Sequence, residues 1–147
     1  MALEMSSQEL TNFLTETHLA RIATVKPDGS PHVTPVWYLW KAPYLLIAVV
    51  STSLKVRNIK QNPQVAVTID TDSSPAQGVI IEGRALIKNL PTQLEHELCA
   101  RYLQSRDLER YLEYARNNFT SILLEIAPHK IISWNYAKDP FLQTLKN

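Results

Sequence analysis

Glycine is scarce: the 147-residue chain holds only Gly29, Gly78 and Gly83. Neither a Walker loop nor a dinucleotide GxGxxG can be written with glycines so placed. Cysteine is scarcer. Cys99 stands alone among helix formers, so a disulfide within one chain and a cysteine metal cluster are both ruled out, and a reducing, cytoplasmic setting is expected. The histidines His18, His32, His96 and His129 never pair at metal-ligand spacing on one helix face. No metal site is expected. No GxSxG elbow supports hydrolase chemistry. Charge of one sign is missing too: Lys plus Arg number 15 against 14 for Asp plus Glu, so neither nucleic acid nor an anionic membrane is an expected partner. The longest apolar run, Tyr44 to Val50, is far too short to span a bilayer. The N-terminus carries Glu4, Gln8 and Glu9 and lacks the basic start and apolar stretch of a signal peptide. At this length, and with 45% apolar residues, one domain over 1–147 is the expectation.

What is present reads as strands with a few helices. Ser6 and Ser7, followed by Glu9 and the spacing Leu10, Phe13, Leu14, predict a short capped helix ending near Thr17. Leu19 to Val25 and Pro31 to Trp40 are extended runs about the turn Lys26-Pro27-Asp28-Gly29-Ser30, a hairpin. Tyr44 to Val50 is continuously apolar, as in a strand buried on both faces. Ser53 caps a short helix through Gln61. Asn62-Pro63 stops it, and a strand follows from Gln64 to Asp70. Gly78 to Lys88 puts Val79, Ile81, Ala85 and Ile87 on one face with Glu82 and Arg84 on the other, where these two are expected to pair. Two helices follow. One opens at Pro91 with Leu94, Leu98 and Leu103, and one over 107–117 carries Leu108, Leu112 and Ala115 beside Tyr111. Phe119 to Ala127 and Lys130 to Tyr136 read as paired strands about Pro128. The order implies an α+β fold with an antiparallel, barrel-like sheet.

Two segments carry chemistry. Ser51-Thr52-Ser53-Leu54-Lys55-Val56-Arg57-Asn58 follows a buried strand and opens a helix, within an interval from Asp28 to Asp70 that holds no other acid but does hold Lys41, Lys55, Arg57 and Lys60. Hydroxyls, helix-terminal N–H groups and cations together suit a phosphate monoester. They equally suit a capped helix with its basic side chains in solvent. In His32-Val33-Thr34-Pro35-Val36-Trp37-Tyr38 a proline breaks an extended run. Either it marks an edge strand packing its aromatics inward, or it frees backbone groups for the polar rim of a flat heterocycle.

In this order the segments resemble the FMN-binding split-barrel family typified by pyridoxamine 5'-phosphate oxidase, in particular its short members. Arg21-Ile22-Ala23-Thr24, Asp28-Gly29-Ser30-Pro31-His32-Val33 and Thr34-Pro35-Val36-Trp37-Tyr38 look like the opening hairpin of those proteins. Ser53-x-Lys55-Val56-Arg57-Asn58-Ile59, Asn62-Pro63-Gln64-Val65-Ala66 and Glu82-Gly83-Arg84-Ala85 continue the match, which covers roughly residues 10 to 135. The resemblance implies an antiparallel split barrel of six to seven strands with flanking helices. It implies a homodimer with FMN in clefts lined by both chains. Carried over, Pro35, Val36 and Trp37 border the flavin ring, and Thr52, Ser53, Lys55 and Arg57 hold the phosphate. Asn58 supports that loop. Trp134 either closes the partner's cleft or is an ordinary core tryptophan.

The C-terminal stretch from Asp139 lacks the Arg-x-His substrate motif of the true pyridoxamine phosphate oxidases, which argues against vitamin B6 oxidation. The implied function is an FMN-dependent oxidoreductase acting between a nicotinamide-type reductant and a small molecule. The alternatives are a deazaflavin-dependent reductase, or a non-catalytic flavin or haem carrier, for which His32 or His129 is the nearest axial ligand. No catalytic acid or base can be assigned from the sequence.

Overall fold

Trp37 and Tyr38 interrupt the extended run expected from Pro31 to Trp40. In the computed structural model, which describes residues 3–146, the run divides into β2 (Pro31–Val36) and β3 (Leu39–Lys41). The pieces join opposite margins of one sheet. β2 pairs with β1 (Ala20–Val25), and β3 pairs with β4 (Tyr44–Val50). With β5 (Gln64–Asp70), β6 (Gln77–Asn89) and β7 (Ser121–Asn135) they form a seven-stranded antiparallel sheet of order β2-β1-β5-β6-β7-β4-β3. Val36 and Leu39 end and begin the two outermost strands, yet three residues of chain reach at most ~11 Å. The sheet must therefore curl until its margins approach, with no ladder between them. This is the expected split barrel. Positions 1, 2 and 147 of the expected 1–147 unit lie outside the described residues.

Alternation fills the barrel. Val65, Val67 and Ile69 of β5 and Val79, Ile81 and Ala85 of β6 point into one core cluster. Helix α1 (Ser7–Thr15) adds Phe13 and Leu14 to it, and the Ser6 hydroxyl caps that helix by accepting from the Glu9 N–H at 3.2 Å. α1 stops two residues short of the expected Thr17. β4 is buried on both faces, as its composition implied. Leu45, Ile47 and Val49 enter the barrel core, while Leu46 joins a second cluster with Leu98, Leu108 and Leu112. These leucines belong to α3 (Thr92–Ala100) and α4 (Ser105–Asn118), with Leu103 in the turn between them rather than on the first helix. The helical pair is thus a second layer over β3, β4 and β7.

The strand pair expected about Pro128 is corrected to one strand. β7 runs unbroken, and both halves pair with β6, from Asn89↔Ile122 to Gln77↔Asn135. Pro128 stands opposite Gly83 and Lys130 opposite Glu82, so the register slips there and His129 is the extra residue of a bulge. A proline can sit within the strand because the ladder is already interrupted at that point. Glu82 and Arg84 form no ion pair with each other among the described residues. Pro35 lies on the edge strand β2, opposite Arg21, where its missing N–H costs no interior ladder bond.

Candidate functional site

A cavity of about 430 Å³ opens where β4 ends and α2 (Leu54–Gln61) begins. It brings together residues distant in sequence: Pro35, Val36 and Trp37 from the crossing between sheet margins, and Ser53 and Lys55 from the start of α2. Ala48, Val49 and Val50 form its floor. Five of the nine residues expected to bind cofactor therefore share one cavity.

The α2 end of this cavity is rich in donors. Ser53 has the extended backbone of an N-cap, but its hydroxyl makes no capping bond, and its buried Oγ has no hydrogen-bond partner. A buried hydroxyl left so is costly by about 1–3 kcal/mol unless something outside the chain completes it. The first-turn amides of α2 likewise have no intrahelical acceptor. Lys55 is partly buried, burial lowers its pKa, and among the described residues it has no acidic partner. Hydroxyl, amides and ammonium with no acceptor of their own are the chemistry a phosphate monoester needs. The residues present fit the phosphate end of FMN.

The other expected residues lie elsewhere. Thr52 and Arg57 are exposed and outside the cavity wall. Asn58 is 1% exposed and donates through Nδ2 to the Thr24 hydroxyl at 3.0 Å, tying α2 to β1. Trp134 is half-buried, paired with Gly78 at the far end of the β6–β7 ladder, and does not line the cavity. Its ring covers Gly78 so closely that a Cβ there would collide with it.

Trp37 is held by aromatic neighbours. Its ring stacks on Tyr102 and is tilted against Tyr111. The Tyr102 hydroxyl accepts from the Tyr38 N–H at 3.1 Å and donates to the His18 carbonyl at 2.7 Å. The Arg101 guanidinium lies over the rings of Tyr38 and Tyr102 and donates to the Thr15 and Glu16 carbonyls, which fastens α1 to the end of α3.

Sequence reasoning missed the opposite wall. Glu95, Leu98 and Cys99 of α3, Tyr111 and Ala115 of α4, and Phe119 after it all face the cavity. Burial, and secondarily the Glu95 carboxylate, push the Cys99 thiol up to about 11. Burial likewise raises the Tyr111 phenol, with Cys99 and Glu95 contributing. Both groups stay protonated at neutral pH. The amphipathic spacing of the helices was legible, but not the surface it would cover.

The family model for pyridoxamine 5'-phosphate oxidase matches residues 6–135. No curated protein matches the chain. Among solved structures, a conserved hypothetical protein from Mycobacterium tuberculosis superposes with a TM-score of 0.76 at 23% identity, over 93% of this chain and 89% of that one. An F420 reductase superposes with a TM-score of 0.67 at 25% identity, over 82% of this chain and 94% of its own. The haem storage protein HutZ from Vibrio cholerae does so with a TM-score of 0.64 at 17% identity, over 87% of this chain and 94% of its own. The first and third likenesses are of fold alone. With the match running from the α1 cap to the end of β7, the chain belongs to the pyridoxamine 5'-phosphate oxidase family.

Proposed function

We propose that the protein is an FMN-binding oxidoreductase, acting as a homodimer, that passes hydride or electrons from a nicotinamide-type reductant to a small molecule. One observation carries this reading: a buried Ser53 hydroxyl without a partner stands in the same cavity as the partly desolvated, unpaired Lys55 and the Trp37 segment. FMN supplies the redox chemistry when bound, and the protein supplies binding, orientation and exclusion of water.

In this reading Ser53, Lys55 and the first-turn amides of α2 hold the phosphate. Thr52 and Arg57 complete that end from the rim, and Asn58 keeps the α2 turn in place from beneath. Pro35, Val36 and Trp37 border the ring. Trp37 lies outside both ladders, so its backbone is not committed to the sheet. Trp134 enters only through the dimer, facing the partner's cleft.

A deazaflavin-dependent reductase is the second reading, favoured by the 25% identity to an F420 reductase. Haem carriage is not favoured, because neither His32 nor His129 lines this cavity. The deciding experiment is the absorption spectrum of the purified protein, with the released chromophore identified by mass. A flavin spectrum and FMN mass support the proposal. A deazaflavin favours the second reading, and a colourless protein that fails to bind added FMN sinks both the cofactor and the function.

A further inference from the structure

The cavity is polarised. Its α2 end offers a cation and a hydroxyl, and the wall built by α3 and α4 offers one negative charge, Glu95. An acid in the first turn of a helix ordinarily complements the dipole from solvent. Glu95 is in the first turn of α3, but its side chain is only partly exposed and lines the cavity. Nearby acids are engaged: Glu97 pairs with Lys41 at 3.0 Å, and Glu109 meets His96 at 3.2 Å. Glu95 has neither an ion pair nor a hydrogen bond to its carboxylate among the described residues. The groups beside it bring no positive charge either, since Leu98 and Ala115 are apolar and Cys99 and Tyr111 are neutral. The half-buried carboxylate thus faces the cavity with no counter-charge among the described residues.

The aromatic rings lining the same cavity say what kind of counter-charge fits. Trp37 and Tyr111, both lining the cavity, stand with centroids 5.8 Å apart and planes inclined at 48°. Tyr102 covers one face of Trp37, and the aromatic surface that Trp37 and Tyr111 leave to a cavity also lined by a carboxylate suits an organic cation, which gains from the ring quadrupoles and from the charge together. Lys55 cannot serve as that cation. Both it and Glu95 line the cavity, but among the described residues Lys55 forms no ion pair with Glu95.

We propose that Glu95, with the rings of Trp37 and Tyr111, forms a subsite for the protonated amine of a small organic substrate. The inference rests on the preceding reading for the cavity being the place where substrate meets FMN. It adds the substrate's charge.

The test is calorimetric titration of the full-length protein with benzylamine and with benzyl alcohol, the same ring with and without a positive charge, alongside an FMN titration followed by fluorescence quenching. The wild type should prefer benzylamine by about tenfold. Glu95→Gln should abolish the preference while leaving affinity for benzyl alcohol and FMN unchanged. Tyr111→Leu, which keeps the carboxylate and removes a ring, should reduce the preference without abolishing it, and serves if the first variant does not fold. A wild type with no preference, or either variant keeping it whole, overturns the proposal. The two readings fail separately. FMN binding without amine preference removes only the subsite; amine preference without FMN binding removes only the flavin.

Discussion

The rings of Trp37 and Tyr102 lie parallel, their planes 3° apart and their centroids separated by 4.8 Å, although the first belongs to the crossing between sheet margins and the second to the turn after α3. The Tyr102 hydroxyl then reaches past the stack to the Tyr38 N–H and the His18 carbonyl. Removing only that oxygen, in Tyr102→Phe, keeps the stack and leaves both backbone groups unpartnered, at a cost of about 1–3 kcal/mol. Tyr102→Ala should cost more and also shift Trp37 emission to the red. Urea denaturation followed by tryptophan fluorescence checks both. Equal stability of Tyr102→Phe and wild type would mean that water replaces the hydroxyl.

Ser53→Ala separates binding from folding. The hydroxyl makes no bond within the chain. Its loss should therefore not destabilise the unliganded fold and should stabilise it by about 1–3 kcal/mol, while FMN binds about tenfold more weakly through the lost hydrogen bond to phosphate. Lys55→Ala should weaken FMN further with the fold intact. Thermal melts beside FMN titrations distinguish these effects, and an unchanged FMN affinity in both variants would sink the phosphate assignment.

Asn58 should behave in the opposite way. Its amide is buried and donates to the Thr24 hydroxyl at 3.0 Å. Asn58→Ala is expected to destabilise the fold by about 1–3 kcal/mol because the Thr24 hydroxyl loses its partner. In a double-mutant cycle with Thr24→Val the two losses should be less than additive. Strict additivity would show that the bond contributes nothing.

For Cys99 the expectation concerns pH. Burial and the Glu95 carboxylate raise the thiol from its ordinary 9.0 to about 11 in the folded protein. The folded state keeps its proton to higher pH than the unfolded chain, so the thiol's contribution is full below about pH 9 and is lost as pH rises towards 11. The stability difference between wild type and Cys99→Ala should therefore narrow across that window. Urea titrations at pH 8 and 10.5 measure it. At pH 8 the native thiol should react slowly with a disulfide reagent, and rapidly once unfolded.

Local signals in the chain foretold most of the sheet, and the short helix that opens at Ser53. The Ser53–Asn58 string sits directly after a strand whose apolar run announces burial on both faces, so chemistry and placement could be read together. Pro128 misled for a physical reason. A proline in an extended run reads as a break, and the bulge that accommodates it is a property of β6 pairing, settled by Gly83 on another strand. Trp37 and Tyr38 have strand-like side chains, and nothing local says that the chain leaves one ladder there to join another. The far wall was illegible for a similar reason. The charged positions of the helix pair, Glu95 among them, have the mixed signs of a solvated face, and only the return of that pair over β4 turns Glu95 and Tyr111 towards the cavity.

That return has a further meaning. β6 ends at Asn89 and β7 pairs with it from Ile122, so the whole helical excursion departs from and comes back to neighbouring points of one ladder. In topological terms α3 and α4 are the loop of a long hairpin. Ser53 and Lys55 stand on a different connection, the one between β4 and β5. The molecule thus separates an anchor from a cover: one held where the barrel turns into α2, the other carried whole on a single continuous segment.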